Sequence, residues 1–294
     1  QTGPQVLGNL FGGVVFKNIY SYRATYDYSL KARSKIAVNN NSEIHVAVVW
    51  DKSYDKSFIA GVNLAVDEVN KQGILLKKGK NDVKARIVLH EYDDSTEEQS
   101  KKSRLAIAAD HKIVAVLGHS SSSSAIPASI SYEYNGVLFI SVVATNSVLT
   151  EHGFKYTLSI IPSEITFMTA LVEFLQQKHQ QKAQNKSWNK LLILHARNLY
   201  GLSLYEHFLA ILKSPLKIVN AKSFFTDQDD YKEMIYKVME KDFDVVILGT
   251  VDENAAQIIK QLHEMGMNKP ILGGDGLDNA KIWDWSGKTA DQLY

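Results

Sequence analysis

Five consecutive serines, Ser120 to Ser124, follow Gly118 and His119 in the middle of the chain. The apolar residues before them predict a strand and the residues after them predict a helix, so the hydroxyl groups lie beside backbone N–H groups at a helix N-terminus. The positive end of the helix dipole there favours an anion such as a carboxylate or a phosphate. A helix N-cap with additional small polar residues has the same composition, and both interpretations are open.

Catalytic motifs match this run poorly. A nucleophile elbow needs glycine at the position of Ser122, and the chain has neither a Gly-Lys-Ser/Thr phosphate loop nor a G-x-G-x-x-G motif that opens a helix. A serine hydrolase that uses Ser120 to Ser124 with His119 or His195 as the base is a remote alternative, because no spacing places either histidine. No H-x-x-x-H pattern or close His/Asp cluster occurs, so we expect neither a metal site nor a cofactor.

The whole chain has the composition of a globular protein of about two domains. It has 294 residues, of which 45% are hydrophobic and 22% charged, and 33 basic against 32 acidic residues give a formal charge of +1. This balance offers no electrostatic attraction to nucleic acid. The absence of cysteine excludes thiol catalysis and disulfides. The apolar stretches are strand-sized, well below the roughly 18 residues of a membrane helix.

Residues 1–42 form an N-terminal extension that is basic and rich in tyrosine. The extension holds five Lys or Arg residues against a single acid and ends in an Asn-rich linker. The period-two spacing of Tyr20 with Tyr22 and of Tyr26 with Tyr28 indicates a short aromatic hairpin packed on the main body. An ordered extension is one interpretation, and a membrane-facing or partner-binding arm is the other.

From residue 44 onward, strand-like and helix-like segments alternate. Short apolar runs predict the strands, and apolar residues at helical spacing predict the helices between them. We expect strands at His45–Trp50, Arg86–Tyr92, Ile113–Gly118, Val137–Ile140, Lys190–Ala196, Ile218–Phe224, Val245–Gly249 and Ile271–Gly273. This alternation predicts an α/β fold with parallel sheets covered on both faces by helices. Two such units predict two lobes with a ligand cleft between them, lined by loops at the carboxyl ends of the strands.

The segment GHSSSSSAIPASISYEYNGVLFISVVATNSVLT, residues 118–150, resembles the leucine/isoleucine/valine-binding protein family, the type I periplasmic substrate-binding proteins of ABC importers. Weaker similarity extends over residues 44–278 and includes VNLAVDEVN, the Leu199-Tyr200-Gly201 turn and PILGGDG. The resemblance implies two Rossmann-like lobes, which we place at 43–162 and 163–294. It also implies that lobe 1 lacks its C-terminal segment and exposes an apolar face there, either because the chain is a fragment or because another chain supplies the segment.

The same resemblance implies four ligand-binding residues in lobe 1. Ser122 lies where a serine hydroxyl of the amino-acid binders holds the ligand carboxylate, and Thr145 lies at a threonine that binds both the carboxylate and the ammonium group. Val143 would offer its carbonyl oxygen to the ammonium group, and Ala144 lines the same turn. Without the resemblance, Ser122 and Thr145 are interpreted as helix caps.

Three further ligand contacts are implied. Tyr54 and Tyr200 match aromatic residues that close over the ligand, and Asp275 matches an acidic residue of the second lobe that pairs with the ammonium group. A zwitterion needs both partners, because burying either charge unpaired would be costly. Asp275 replaces the family's glutamate and Val251 replaces a tyrosine, so the resemblance defines the class of the ligand better than its identity. Taken alone, the tyrosines are rim aromatics and Asp275 is a turn former.

The resemblance therefore implies an extracytoplasmic solute-binding protein without catalytic activity. We expect it to capture a small polar metabolite, an amino acid of the branched-chain or a related class, by hinge closure and to deliver it to an ABC importer permease. A periplasmic or extracytoplasmic location follows, although this chain shows no signal peptide. The alternative is a ligand-sensing module of a membrane receptor or regulator with the same fold.

Overall fold

The structure is a computed structural model that describes residues 28–36, 42–53, 56–78, 81–181, 188–278 and 282–286. The chain divides into two compact units between Ile161 and Pro162. The predicted hairpin of the extension is wrong at Tyr28, which lies in a helix, α1, described over residues 28–36, and the other three tyrosines lie outside the described residues. A helix forms at Tyr28 because Leu, Lys, Ala and Arg follow it, all of which have high helix propensity.

The first unit is built on a six-stranded sheet with the order β2-β3-β1-β4-β5-β6. Its strands are β1 (Glu43–Trp50), β2 (Ile74–Lys78), β3 (Asn81–Asp93), β4 (Ile113–Gly118), β5 (Leu138–Ser141) and β6 (Thr157–Ser159). Its other helices are α2 (Ser57–Gln72), α3 (Glu97–Ala109), α4 (Ser122–Asn135) and α5 (Val148–Glu151). The predicted parallel pairing of β1 with β3 and β4, and of β4 with β5, is confirmed, and an edge strand that was not predicted, β2, pairs antiparallel with β3. The reason is that the two residues between these strands are too few for a crossover.

Helices α3 and α4 cover one face of the six-stranded sheet. Val49, Val116 and Phe139 point to this face from three neighbouring strands and are buried against Ile107 of α3 and Tyr132 of α4. These side chains form the core of the first unit.

The opposite face of this sheet, which we call the open face, is partly uncovered among the described residues. Val48, Leu117, Ile140 and Leu158 are register partners in successive strands and so form an apolar row. Leu117 and Ile140 are only half-buried, and Leu158 is 51% exposed. Helix α2 packs Phe58 against Trp50, with ring centroids 4.3 Å apart, but none of its residues is buried.

The second unit contains a four-stranded parallel sheet with the order β10-β9-β7-β8. Its strands are β7 (Lys190–Ala196), β8 (Lys217–Phe224), β9 (Val245–Gly249) and β10 (Ile271–Gly273). Its helices are α6 (Glu164–Gln181), α7 (Leu199–Ile211), α8 (Lys232–Met239), α9 (Asp252–Glu264) and α10 (Ile282–Ser286), with a 3-10 turn at Asp275–Leu277.

Both faces of this second sheet are covered, as predicted. Successive residues of β7 alternate between two buried clusters: Leu192 and Leu194 pack towards α8 and α9, whereas Leu191 and Ile193 pack towards α6 and α7. The predicted bounds of β4, β7, β9 and β10 agree with the structure. The short elements α5 and β6 were not predicted, because three or four residues carry no readable periodicity.

Candidate ligand-binding site

His119 and the serines at residues 120–124 connect β4 to α4 and form the first turn of that helix, and we call this segment the serine loop. Ser121 is the N-cap of α4, and its hydroxyl accepts a hydrogen bond from the Ser124 amide at 3.3 Å. The capping interpretation therefore applies to Ser121. Ser122 is the first residue of the helix, only 4% exposed, and it lies where the first turn leaves N–H groups without intrahelical acceptors.

Gly118 allows the serine loop to leave the sheet. Its φ angle is +137°, which side-chain-bearing residues rarely adopt, and a Cβ atom built on it would lie 2.2 Å from the carbonyl oxygen of Val49. Only glycine lets β4 approach β1 this closely and turn at the same residue.

Asp94, the residue after β3, lies beneath the serine loop with a fully buried side chain. Its Oδ2 atom accepts hydrogen bonds from the Ser120 amide at 2.8 Å, the Ser120 hydroxyl at 2.7 Å and the Ser124 hydroxyl at 2.8 Å. Its Oδ1 atom lies 2.8 Å from Nδ1 of His119. Burial alone would raise the pKa of Asp94, but His119 and Ser120 hold that pKa well below its usual range, so the carboxylate is ionised.

His119 is fully engaged by buried neighbours. Its Nδ1 atom contacts Asp94, and its Nε2 atom lies 3.0 Å from the Tyr132 hydroxyl. Neither ring nitrogen is directed at a serine, so His119 is not arranged as a base. His195 belongs to the second unit, where it stacks on Tyr205 with ring centroids 4.6 Å apart and its Nδ1 atom lies 3.2 Å from the Ala196 carbonyl oxygen. The hydrolase alternative gains no support from either histidine.

A second loop, residues 142–147, follows β5 at the same edge of the sheet. Gly118 and Ser141, the last residues of β4 and β5, are register partners, so both loops begin side by side. Val143 is 37% exposed, whereas Ala144 and Thr145 are buried. The structure thus brings the loops of Ser122 and of Val143, Ala144 and Thr145 to one edge of the first unit.

The Thr145 hydroxyl is buried and has no hydrogen-bond partner among the described residues. A buried polar group left unpaired costs about 1–3 kcal/mol, so native proteins normally pair such groups with protein, water or a ligand. Other buried hydroxyl groups share this state, among them those of Ser100 and Thr157. Thr145 differs from those two because it lies beside the serine loop, where two loops converge.

In the second unit, Tyr200 and Asp275 are in contact. The Tyr200 hydroxyl donates to Oδ1 of Asp275 at 3.0 Å and accepts from the Gly276 amide at 3.1 Å. Burial raises the pKa of Asp275, and burial together with the Asp275 charge raises the pKa of Tyr200. Asp275 is therefore more than a turn former, because its half-buried carboxylate also accepts a hydrogen bond from Tyr200.

Thr250, which follows β9, lies beside this pair. A Cβ atom on Gly276 would be 2.5 Å from the Thr250 carbonyl oxygen and 2.9 Å from the Tyr200 hydroxyl, so glycine is required there. The Thr250 hydroxyl is buried and, like that of Thr145, has no partner among the described residues. In each unit, a buried threonine hydroxyl thus follows a parallel strand next to predicted ligand-binding residues.

Sequence reasoning did not single out Asp94 or Thr250. For Asp94, the sequence did offer a signal: the acidic pair Asp93 and Asp94 directly follows a predicted strand. Ligands of parallel sheets bind beyond the carboxyl ends of the strands. For Thr250, the only signal in the sequence was its position directly after β9. Tyr54 lies outside the described residues.

Within the described part of the chain, no group of three or more His, Asp or Glu residues is arranged to hold a metal ion. None of the helices in that part is long and apolar enough to cross a membrane.

Comparison with known proteins identifies relatives of both units. A family model for the receptor family ligand binding region matches residues 60–272. A Leu/Ile/Val-binding protein of Rhizobium johnstonii is 27% identical over 230 residues, covering 76% of this chain and 57% of that protein. The leucine-specific-binding protein of Salmonella typhimurium is 26% identical over 243 residues, covering 79% and 60%. The chain thus spans about three fifths of the length of these curated relatives.

Solved structures show the same fold. An ABC transporter substrate-binding protein from Desulfitobacterium hafniense in complex with Leu has a TM-score of 0.67 and 25% identity, covering 86% of this chain and 70% of that one. A branched-chain amino acid transporter substrate-binding protein from Streptococcus pneumoniae in complex with isoleucine has a TM-score of 0.73 and the same coverage. Its identity of 22% supports a likeness of fold alone.

Proposed function

We propose that this chain, which belongs to the receptor family of ligand-binding regions, binds an amino acid with an aliphatic side chain for delivery to an ABC importer. The names of the curated relatives and the bound leucine of the Desulfitobacterium protein support this ligand class. An extracytoplasmic location and an importer permease as partner belong to the same proposal.

The buried hydroxyl of Thr145, which has no hydrogen-bond partner among the described residues, carries the proposal. An amino-acid carboxylate near Ser122 would meet the positive end of α4 and accept a hydrogen bond from Thr145, which would relieve the cost of that unpaired group. The Val143 carbonyl oxygen, on an exposed residue, is a suitable acceptor for the ammonium group, and Ala144 shapes the turn between them.

The second unit offers the opposite charge. An ammonium group would stabilise the ionised form of Asp275, whose pKa burial raises in the free protein. Tyr200 holds this carboxylate through its hydroxyl group, and Tyr54 is proposed as a further aromatic contact. The first unit thus supplies donors for a carboxylate and the second supplies an acceptor for an ammonium group, the two requirements of a zwitterion.

We also infer that the chain is not an enzyme. Among the described residues, His119 is not directed at a serine, because Asp94 and Tyr132 contact its two ring nitrogens. Binding and release of an unchanged ligand requires only the donors and acceptors described above.

Calorimetric titration with L-leucine, L-isoleucine and L-valine tests the function. Replacing Ser122 or Thr145 by Ala, or Asp275 by Asn, should each weaken binding by about tenfold or more, because each removes a hydrogen bond to a charged group. Ser123→Ala is the matched control, since Ser123 is exposed and adjacent to Ser122. Absence of binding to all three amino acids, or binding that survives every substitution unchanged, would contradict the proposal.

A further inference from the structure

Asp94 lies outside the set of residues assigned to the ligand, yet it connects the serine loop to the sheet. Its amide donates to the Trp50 carbonyl oxygen at 3.2 Å, which ties the end of β3 to the end of β1. Its side chain is fully buried, as is that of His119 beside it. The carboxylate is therefore held at a fixed place relative to two central strands.

The Asp94 carboxylate accepts hydrogen bonds from the serine loop on both sides of Ser122. Ser120 donates through its amide and its hydroxyl, and Ser124 donates through its hydroxyl, all to the same oxygen atom of Asp94. These bonds have an ionised acceptor, which makes them stronger than bonds between neutral groups. Ser120 and Ser124, which lie two positions before and two positions after Ser122, are therefore both fixed to one buried carboxylate.

The other carboxylate oxygen completes the arrangement. It contacts His119, which in turn contacts the Tyr132 hydroxyl within α4. Asp94 is thus connected both to the first turn of α4, through Ser124, and to its third turn, through His119 and Tyr132. The direction of the helix N-terminus is set relative to the sheet by the same carboxylate.

We propose that Asp94 is the positioning residue of the serine loop: it presents Ser122 and the first turn of α4 to the anionic group of the ligand in a fixed geometry before binding. The part of this inference that concerns the ligand rests on the proposed amino-acid binding. Prearranged donors bind more tightly, because the loop does not have to be ordered during binding.

The test uses the intact chain and four sets of variants. Asp94→Ala removes the shared acceptor, and the double variant Ser120→Ala with Ser124→Ala removes the side-chain donors while leaving the carboxylate in place. Asp93→Ala and Ser123→Ala are the matched controls. Asp93 is the neighbouring carboxylate, which accepts instead from Ser95, and Ser123 is an exposed serine of the same loop.

The first readout needs no ligand. Hydrogen exchange of the segment 118–126, followed by mass spectrometry, should become about tenfold faster or more in Asp94→Ala and in the double serine variant, and should stay unchanged in both controls. Unchanged exchange in both test variants overturns the proposal. If Asp94→Ala fails to fold, the double serine variant decides this comparison.

The second readout is affinity for L-leucine and L-isoleucine. The test variants should raise Kd by about tenfold or more, and adding Ser122→Ala to Asp94→Ala should have a much smaller effect than Ser122→Ala has in the original chain. Independent, additive effects would show that Asp94 does not act through Ser122 and would overturn the proposal. If the original chain binds neither amino acid, the proposed ligand class is contradicted, and the exchange experiment alone decides the role of Asp94.

Discussion

At the scale of single residues, the second unit holds a carboxylate that is unfavourable in the free protein. Burial raises the pKa of Asp275, and the charge of Asp278 adds to this effect. The Tyr200 hydroxyl bond opposes the shift without cancelling it. Such groups are typical of functional sites, where a residue is kept for its interaction with a ligand.

The raised pKa predicts how the stability of the ligand-free protein depends on pH. A carboxyl group whose pKa is higher in the folded state stabilises that state below its unfolded pKa of about 3.9, and this contribution is lost as pH rises through the folded value. Asp275→Asn should therefore reduce the loss of stability between low pH and pH 7, and it should raise the urea midpoint at pH 7. Asp227→Asn, at an exposed position, should have neither effect. Urea unfolding between pH 3.5 and 7 measures the difference, and a lower midpoint for Asp275→Asn at pH 7 would contradict it.

At the scale of elements, the buried Arg33 side chain makes most of the hydrogen bonds that fix α1 to the first unit. The Arg33 guanidinium donates to the Asp110 carbonyl oxygen at 2.7 Å, to Ala108 at 2.5 Å and to Asn135 at 2.9 Å, all at the C-terminal ends of α3 and α4. A cation there also interacts favourably with the negative ends of two helix dipoles. Among the described residues 28–36 of the extension, Arg33 is the only buried basic residue, and helix capping explains its burial.

Replacing Arg33 should destabilise the first unit substantially. Arg33→Met removes the guanidinium but keeps an aliphatic stem, and we expect it to lower the free energy of unfolding by about 2–4 kcal/mol, because several carbonyl groups lose a charged donor at once. Lys35→Met, on the exposed side of the same helix, should change it by less than about 0.5 kcal/mol. Chemical denaturation of both variants gives the comparison, and equal effects would argue against the capping role.

The turn from β4 into the serine loop should also be sensitive to substitution. Gly118→Ala places a methyl group against the Val49 carbonyl oxygen at a φ angle of +137°, so we expect a loss of more than about 3 kcal/mol. Gly153→Ala is the matched control. Its φ angle of +67° is also positive, but nothing lies within 4 Å of the added Cβ atom, so it should cost only about 1 kcal/mol. Thermal or urea unfolding separates steric from conformational cost, and a Gly118→Ala variant as stable as the control would show that the strands can separate there.

At the scale of the whole molecule, the two sheets differ in how they are covered. The second unit buries both faces of its parallel sheet, whereas the open face of the first keeps Leu117, Ile140 and Leu158 partly exposed among the described residues. Parallel sheets are normally covered on both faces, so the open face is the exception in this fold.

Substitutions on the two faces of β5 and β6 should therefore have different costs. Phe139→Ala empties a buried position under α3 and α4 and should cost about 3–5 kcal/mol. Leu158→Ala on the open face should cost less than about 1 kcal/mol, because half of that side chain is already in water. Urea unfolding measures both values. A cost for Leu158→Ala close to that of Phe139→Ala would mean that the open face is covered in solution.

The sequence by itself determined most of the secondary structure and the family. Alternating apolar runs and helical spacings identified eight strands within a few residues, because these periodicities are local. Ser122 and Thr145 were proposed as ligand contacts from sequence, because they lie in one ungapped segment that carries the family resemblance, and that role stays a prediction. The hairpin expected at Tyr28 failed, since a period-two pattern of four tyrosines is weaker than the helix propensity of the residues that follow.

Only the tertiary structure decided which distant residues are in contact, at the candidate site and at the helix ends. Asp94 is 30 positions from Ser124, Tyr200 is 75 from Asp275, and Arg33 is 77 from Asp110. No local spacing encodes such pairs, because they arise where the strand order brings separate strand ends and helix ends together. The contrast between the open face and the covered sheet has the same origin: the pattern of a strand shows that it is apolar, but whether another element covers it depends on the packing of the whole unit.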